Sequence, residues 1–382
     1  MENFSAYNPT RIQFGKNCIN SLGTDASAYG KKALILIGKG SVKKNGILDQ
    51  VYQQLTAAGI GYELFEGIKS NPEYQDADAA VAKAQAFSAD MIIAVGGGSV
   101  IDTAKAVCAG FYASHSVWEF YQGKGLKPDN ALPLLVVLTL AATGTEMNRF
   151  TVLQDTVNAH KRGWGHELLY PKISYLDPQF TMSVPADYTA YGVADLMAHT
   201  FELFFSTDES PLSDHLATDI IKLAMQYGPT AVSDPTNYDA RANILWLSTV
   251  ALNGSLNAGK RNGDFGVHAF EHVLSVLYDI PHGAGLSIVY PAWMRHFKSH
   301  ISQKLDFMAE RVLGAGKTGD DFIVALEAFY DQIGTPKRLQ QLNIGGADEQ
   351  ARILAALESN KVRGTYFNMT TTDYQALLGL MA

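Results

Sequence analysis

Asp195 and His199 lie four residues apart in the apolar-periodic run TAYGVADLMAHTFELFF. In a helix they share one face, with Cβ atoms roughly 5–6 Å apart. His268 and His272 repeat that spacing in GVHAFEH, and His282 follows in DIPHGAG. One carboxylate with three imidazoles suits a borderline divalent ion such as Zn²⁺ or Fe²⁺. The spacing therefore predicts a metal site made by Asp195, His199, His282 and one member of the His268/His272 pair, carried on two helices and the loop beyond the second. It is not the HExxH of a metalloprotease, because Glu271 stands before His272 and not beside His268. His115, His160, His166, His215, His296 and His300 have no spaced partner on an apolar-periodic element and read as non-ligands.

A second chemical signal lies in the first half. Gly96, Gly97, Gly98 and Ser99 follow five apolar residues and open a helical segment. Backbone N–H groups at a helix N-terminus, with no side chains to block approach, cradle phosphate. The pattern is neither G-x-G-x-x-G nor a P-loop. Asp102, three residues on, is placed to cap that helix or to hold a bound nicotinamide amide. After the strand at 33–37 an NAD-selective protein carries an acid for the ribose 2′-hydroxyl. Here the turn is Gly38-Lys39-Gly40-Ser41, followed by Lys43 and Lys44. A hydroxyl, backbone amides and lysines without an acid fit the 2′-phosphate of NADP. Thr139, Thr143 and Thr145 offer three hydroxyls over a glycine turn at the end of another buried strand.

The elements that must position these groups fall into two halves. KKALILIGKG, GYELFEG, DMIIAVGGG and ALPLLVVLTL are short buried strands, alternating with GILDQVYQQLTAAG, EYQDADAAVAKAQAFS and the helix after Ser99. That alternation predicts a mostly parallel, Rossmann-like α/β sheet covered on both faces. From Pro185 onward the apolar residues keep helical spacing and strand signals fade. Residues 1–184 are thus expected to form an α/β dinucleotide-binding domain and residues 185–382 an all-helical metal-binding domain, with the active site in the cleft between them.

Composition bounds the partners. Of 382 residues 47% are hydrophobic and 18% charged, with 30 basic against 38 acidic side chains. The net charge of −8 and the absence of any Lys/Arg block longer than a pair argue against nucleic acid. No apolar stretch reaches the roughly 18 residues of a membrane span. The N-terminus lacks the basic and apolar regions of a secretory leader. Cys18 and Cys108 have no CxxC spacing and fit a reducing compartment, so a cytoplasmic protein is expected.

GGGSVIDTAKA, LAATGTEMN, YLDP, GVADLMAHTFE, HAFEH and HGAGLSIVYPAWM occur in that order. Together they resemble the iron-containing (group III) alcohol dehydrogenases, most of all the butanol dehydrogenase and NADPH-dependent aldehyde reductase branch. The resemblance runs over essentially the whole chain. It implies the dehydroquinate synthase-like two-domain architecture and a site binding NADP or NAD with one Fe²⁺ or Zn²⁺. Primary alcohols and aldehydes would be its substrates. It places the metal ligands at Asp195, His199, His268 and His282, and makes His272 a non-ligand near the substrate, a candidate to relay the proton. Cofactor contacts map onto Gly38, Gly40, Ser41, Gly96, Gly97, Gly98, Ser99, Asp102, Thr139, Thr143, Thr145 and Lys161. The metal would serve as Lewis acid on the substrate oxygen, with hydride passing between substrate carbon and nicotinamide C4. Two positions depart from the branch: Thr145 where serine is commoner, and Lys39 where glycine often stands. The strand NPTRIQFGK resembles the one through which related enzymes pair as homodimers. A lyase-cyclase of the dehydroquinate synthase type would need several basic groups for its substrate. Around the ligands only Lys260 and Arg261 form a basic cluster. A binding or storage protein is the other alternative. Phe150, Trp164, Trp246 and Phe265 read individually as core packing.

Overall fold

The computed structural model describes residues 1–382, and these divide into two compact units. One spans Asn8–Val184; the other joins Met1–Tyr7 to Pro185–Ala382. The first seven residues therefore belong to the helical unit, not to the α/β domain in which sequence placed them. The Glu2 N–H donates to the Gly259 carbonyl at 2.8 Å, and Arg261 stands 4.0 Å from the Glu2 carboxylate. Main-chain pairing of this kind leaves no periodicity in MENFSAY to read.

The α/β unit runs β1 (Arg11–Phe14), α1 (Leu22–Ala26), β2 (Lys32–Ile37), α2 (Ser41–Lys44), α3 (Ile47–Ala57), β3 (Gly61–Phe65), α4 (Tyr74–Phe87), β4 (Met91–Gly96), α5 (Gly98–Gly110), β5 (Leu134–Leu138), β6 (Phe150–Asp155), β7 (His160–Gly165) and β8 (Ile173–Leu176). Six strands form one parallel sheet in the order β1-β8-β5-β4-β2-β3. β4 and β5 are buried along their whole length, and β2 is buried after Lys32, as strands covered on both faces must be. Ile35, Ile37, Ile93, Val95, Leu135 and Val137 pack on one face with Leu48, Val51 and Leu55 of α3. β6 and β7 form a separate antiparallel hairpin that the alternation pattern did not reveal.

The helical unit holds α6 (Ala186–Phe204), α7 (Pro211–Ser233), α8 (Tyr238–Ala251), α9 (Gly266–Tyr278), α10 (His282–His296), α11 (Lys298–Leu313), α12 (Gly319–Ile333), α13 (Ala347–Asn360) and α14 (Thr371–Met381). No helix is long and apolar enough to cross a membrane. α6 and α10 are buried almost from end to end. Their main chains approach so closely that a methyl on Gly283 would stand 2.0 Å from the Tyr191 carbonyl oxygen.

Backbone cannot retreat as a flexible side chain can, so this crossing depends on glycine. Gly283→Ala is expected to cost about 1–3 kcal/mol by overpacking, seen as a lower thermal midpoint in calorimetry. Gly379→Ala on α14, where a methyl meets nothing within 4 Å, serves as the contrast and leaves the midpoint unchanged or higher.

Candidate functional site

Asp195 and His199 project from the same face of α6, His268 from the first turn of α9, and His282 from the start of α10. His282 was expected in a loop; instead it is the first residue of a helix, directly after Pro281, which cannot itself donate into a preceding turn. Distances to Asp195 Oδ1 are 3.3 Å from His199 Nδ1, 4.0 Å from His268 Nε2 and 3.9 Å from His282 Nε2. Two ligands each about 2.1 Å from a shared ion stand roughly 3–4 Å apart. His199 Nδ1 and His268 Nε2 are buried and make no hydrogen bond. An acceptor nitrogen enclosed in protein without a donor is costly unless a cation meets it. Asp195, His268 and His282 bring ligand atoms within 4.8 Å of one another and fit a divalent metal, while His199 meets this group through Asp195.

Two groups that the spacing argument did not find complete this arrangement. Glu202 Oε1 accepts from His268 Nδ1 at 2.8 Å and from the His268 backbone N–H at 3.0 Å. Glu271 Oε2 accepts from His282 Nδ1, and Glu271 Oε1 from the Ser275 hydroxyl. With Nδ1 committed to a carboxylate, each imidazole turns Nε2 toward Asp195. Asp195, Glu202 and Glu271 are 3%, 2% and 0% exposed. Gly285 is glycine because a methyl there would lie 2.6 Å from Glu271 Cγ. A buried Glu seven residues after Asp195, or beside His272, was visible in sequence only as one more acid in an apolar run.

Burial, then the neighbouring His268 and His282, hold His199 well below the usual histidine range, hence neutral and able to ligate. Burial alone would lower His268 too, but the Glu202, Asp195 and Glu271 carboxylates outweigh it and raise the group. His272 stands apart from the Asp195 cluster. Its ligand atom lies with those of Glu271 and His282, its ring centroid is 5.6 Å from that of His282, and it is partly exposed. Phe265, read as core, is only partly buried and sits in the left-handed region at φ 57°, with its ring edge-on to His268 at 5.8 Å. Such a conformation in a bulky residue persists only where its surroundings enforce it. The Asp264 carboxylate does so by accepting N–H bonds from Gly266, Tyr366 and Phe367.

In the α/β unit the phosphate-cradle residues gather at the carboxyl ends of β2, β4 and β5, where ligands of such sheets bind. None of Gly96, Gly97 and Gly98 has positive φ. What they supply is room. A methyl on Gly96 would meet Val100 Cγ2 at 2.6 Å, on Gly97 Leu140 Cβ at 3.2 Å, and on Gly98 Thr143 Cγ2 at 2.6 Å. The Thr139 N–H donates to the Gly96 carbonyl at 3.0 Å, joining the two turns. The Val100 and Ile101 N–H groups donate to the Gly97 carbonyl, whereas those of Gly98 and Ser99 have no acceptor within the helix. The Ser99 hydroxyl donates to the Ser70 carbonyl, and Lys161 Nζ, on β7, to Asn71 Oδ1 at 2.9 Å. The 70–71 turn thus brings Lys161 beside the cradle.

Asp102 does not cap α5. Its Oδ1 accepts from Thr145 Oγ1 at 2.6 Å and its Oδ2 from the Val152 N–H at 2.8 Å. Thr145 Oγ1 also accepts from Lys105 Nζ at 2.7 Å, and Lys105 donates further to Asn148 Oδ1 and the Phe150 carbonyl. Burial drives Lys105 down to about 8 despite Asp102 and Glu146. This network ties α5 to the threonine turn and to β6. Gly40 adopts φ 103°, which glycine alone takes readily, whereas a side chain on Gly38 would make only ordinary contacts, the nearest 3.5 Å from the Ile68 carbonyl oxygen. Phe150 and Trp246 prove exposed rather than core, and Trp164 stacks on Phe120 at 4.7 Å.

The two histidines four apart on α9 separate by metal content. His268→Ala is expected to lose bound metal in elemental analysis of the purified protein, whereas His272→Ala keeps it; the reverse result would exchange their roles.

Comparison with known proteins agrees over both units. Residues 9–178 match the family model described as iron-containing alcohol dehydrogenase, and residues 189–381 the C-terminal model of the Fe-containing alcohol dehydrogenase family. The chain is 37% identical to a probable NADH-dependent butanol dehydrogenase 1 of Bacillus subtilis, covering 100% of this chain and 99% of that protein. It is 34% identical to the NADPH-dependent aldehyde reductase YqhD of Escherichia coli, covering 94% of each. The crystal structure of NADH-dependent butanol dehydrogenase A from Thermotoga maritima superposes with a TM-score of 0.96 at 34% identity, over 100% of this chain and 99% of that one. The chain belongs to the iron-containing alcohol dehydrogenase family.

Proposed function

We propose that this protein interconverts primary alcohols and aldehydes of butanal-like size by hydride transfer with NADP(H), using one Fe²⁺ or Zn²⁺ held by Asp195, His199, His268 and His282. The observation that carries the reading is the convergence of three histidines on Asp195 Oδ1 at 3.3–4.0 Å, with two ring nitrogens buried and unbonded. The butanol dehydrogenases and aldehyde reductase to which the chain is similar support the reaction class. When bound, the ion supplies Lewis acidity toward the substrate oxygen and the nicotinamide supplies the hydride. The chain's own contribution is placement. Glu202 and Glu271 orient two imidazoles. The α5 N-terminus with Gly96 to Ser99 receives the pyrophosphate, and Asp102, Thr139, Thr143, Thr145 and Lys161 surround the rest of the cofactor. His272, partly exposed beside His282, carries the proton between substrate oxygen and solvent.

A lyase-cyclase is disfavoured by where the one basic cluster is held. Lys260 Nζ donates to the Leu203 carbonyl and to Asp214, and Arg261 pairs with Asp208. Neither is left to receive a phosphorylated acid. For cofactor choice, relatives named for NADH and for NADPH are both similar to the chain, and the NADP reading rests on Gly38. Nothing in the fold requires glycine there, and Lys39, Ser41 and Lys44 follow without an acid at 38. Unbridged Cys18 and Cys108 suit the reducing cytoplasm. β1 lies at one end of the sheet, an edge that pairing with a second copy as a homodimer would cover.

Two experiments test the reading. NADPH oxidation with a panel of aldehydes should show turnover that chelation abolishes and Zn²⁺ or Fe²⁺ restores; turnover by metal-free protein would refute the Lewis-acid role. Comparison of kcat/KM should favour NADPH over NADH. Gly38→Asp should move that ratio toward NADH by about tenfold, roughly 1.4 kcal/mol, with the thermal midpoint unchanged. A wild-type preference for NADH would overturn the assignment of residues 38–41.

A further inference from the structure

The ligands sit on three helices, and two buried glutamates connect those helices in sequence. Glu202 rises from α6, which carries Asp195 and His199, and reaches His268 on α9. Glu271 rises from α9 and reaches His282 on α10. α10 then closes back on α6 where Gly283 meets the Tyr191 carbonyl. Each glutamate thus spans from the helix of one ligand to the ligand of the next. Both are themselves held. Glu202 takes two bonds from His268, through ring and main chain; Glu271 takes the Ser275 hydroxyl on the oxygen that His282 does not use. His199 differs, since its Nδ1 faces Asp195.

We infer that Glu202 and Glu271 are the positioning residues that set the affinity of this centre, by crosslinking the ligand helices and by placing two anionic charges behind the imidazoles of His268 and His282. A carboxylate on Nδ1 fixes the tautomer and increases the donor strength of Nε2, and its removal typically weakens metal binding by about 10- to 100-fold. The inference rests on the metal-centre reading above. It distinguishes two ligands whose strength is set by a neighbouring carboxylate from one, His199, whose strength is not.

The test is chelator competition on the full-length zinc-loaded protein at constant pH. Glu202→Gln and Glu271→Gln keep an acceptor oxygen but remove the charge, and each should weaken zinc binding by about tenfold or more. Glu271→Ala should weaken it further than Glu271→Gln; the loss in the near-isosteric Gln variants is what a space-filling role would not produce. Glu310→Gln, an exposed site on α11, should leave affinity unchanged and controls for net charge. In cobalt-loaded protein the visible d–d bands should move in both Gln variants. If the Glu271 variants do not fold, Ser275→Ala removes only the hydroxyl donor and should weaken zinc binding about threefold, roughly the effect of one hydrogen bond. Gln variants that bind zinc within twofold of wild type, or a Ser275→Ala protein of unchanged affinity, overturn the inference and leave the centre standing. A wild-type protein that takes up neither zinc nor ferrous iron overturns both.

Discussion

Buried negative charge is the constraint from which the helical unit follows. Asp195, Glu202 and Glu271 are buried among the helices, and the groups they meet include His199, His268 and His282. Desolvating a carboxylate costs several kcal/mol unless charge and hydrogen bonds offset it. The helices are therefore arranged for registry as much as for burial. Gly283 lets α10 approach α6, Gly285 leaves space for Glu271, and the Asp264 carboxylate holds the strained turn that begins α9. Gly283, Gly285 and the Asp264 turn each lie within a few residues of His282 or His268.

The α/β unit answers a different demand, for open space next to directed N–H groups. Its glycine turn is not an exotic backbone; the three residues keep ordinary φ and are glycine because Val100, Leu140 and Thr143 crowd them. The floor beneath is stiffened by Lys105, whose ammonium joins Thr145, Asn148 and the Phe150 carbonyl.

Sequence exposed what is periodic or local. The i, i+4 pair on α6, the buried strands and the strand–glycine–helix unit each carry a pattern of period 3.6 or 2, or a composition that few folds tolerate. It hid what depends on distant partners. Glu202 and Glu271 look like any acid until His268 and His282 are placed against them. Whether His268 or His272 joins Asp195 is a question of helix rotation, which spacing leaves open because both lie one turn apart. The β6–β7 hairpin escaped because HKRGWG has little strand character, and its pairing with FTVLQD supplies what propensity does not. Phe150 and Trp246 misled for the opposite reason, since a single large apolar residue is no guide to burial.

The main-chain bond from Glu2 to Gly259 makes the helical unit discontinuous: the chain contributes seven residues to it, leaves for the α/β unit, and returns at Pro185. Closing the helical unit therefore joins segments far apart in the chain, a long-range contact whose loop-closure entropy rises with the residues between them. A fragment cut at the apparent boundary would carry Asp195, His199, His268 and His282 and still lack one of its own edges.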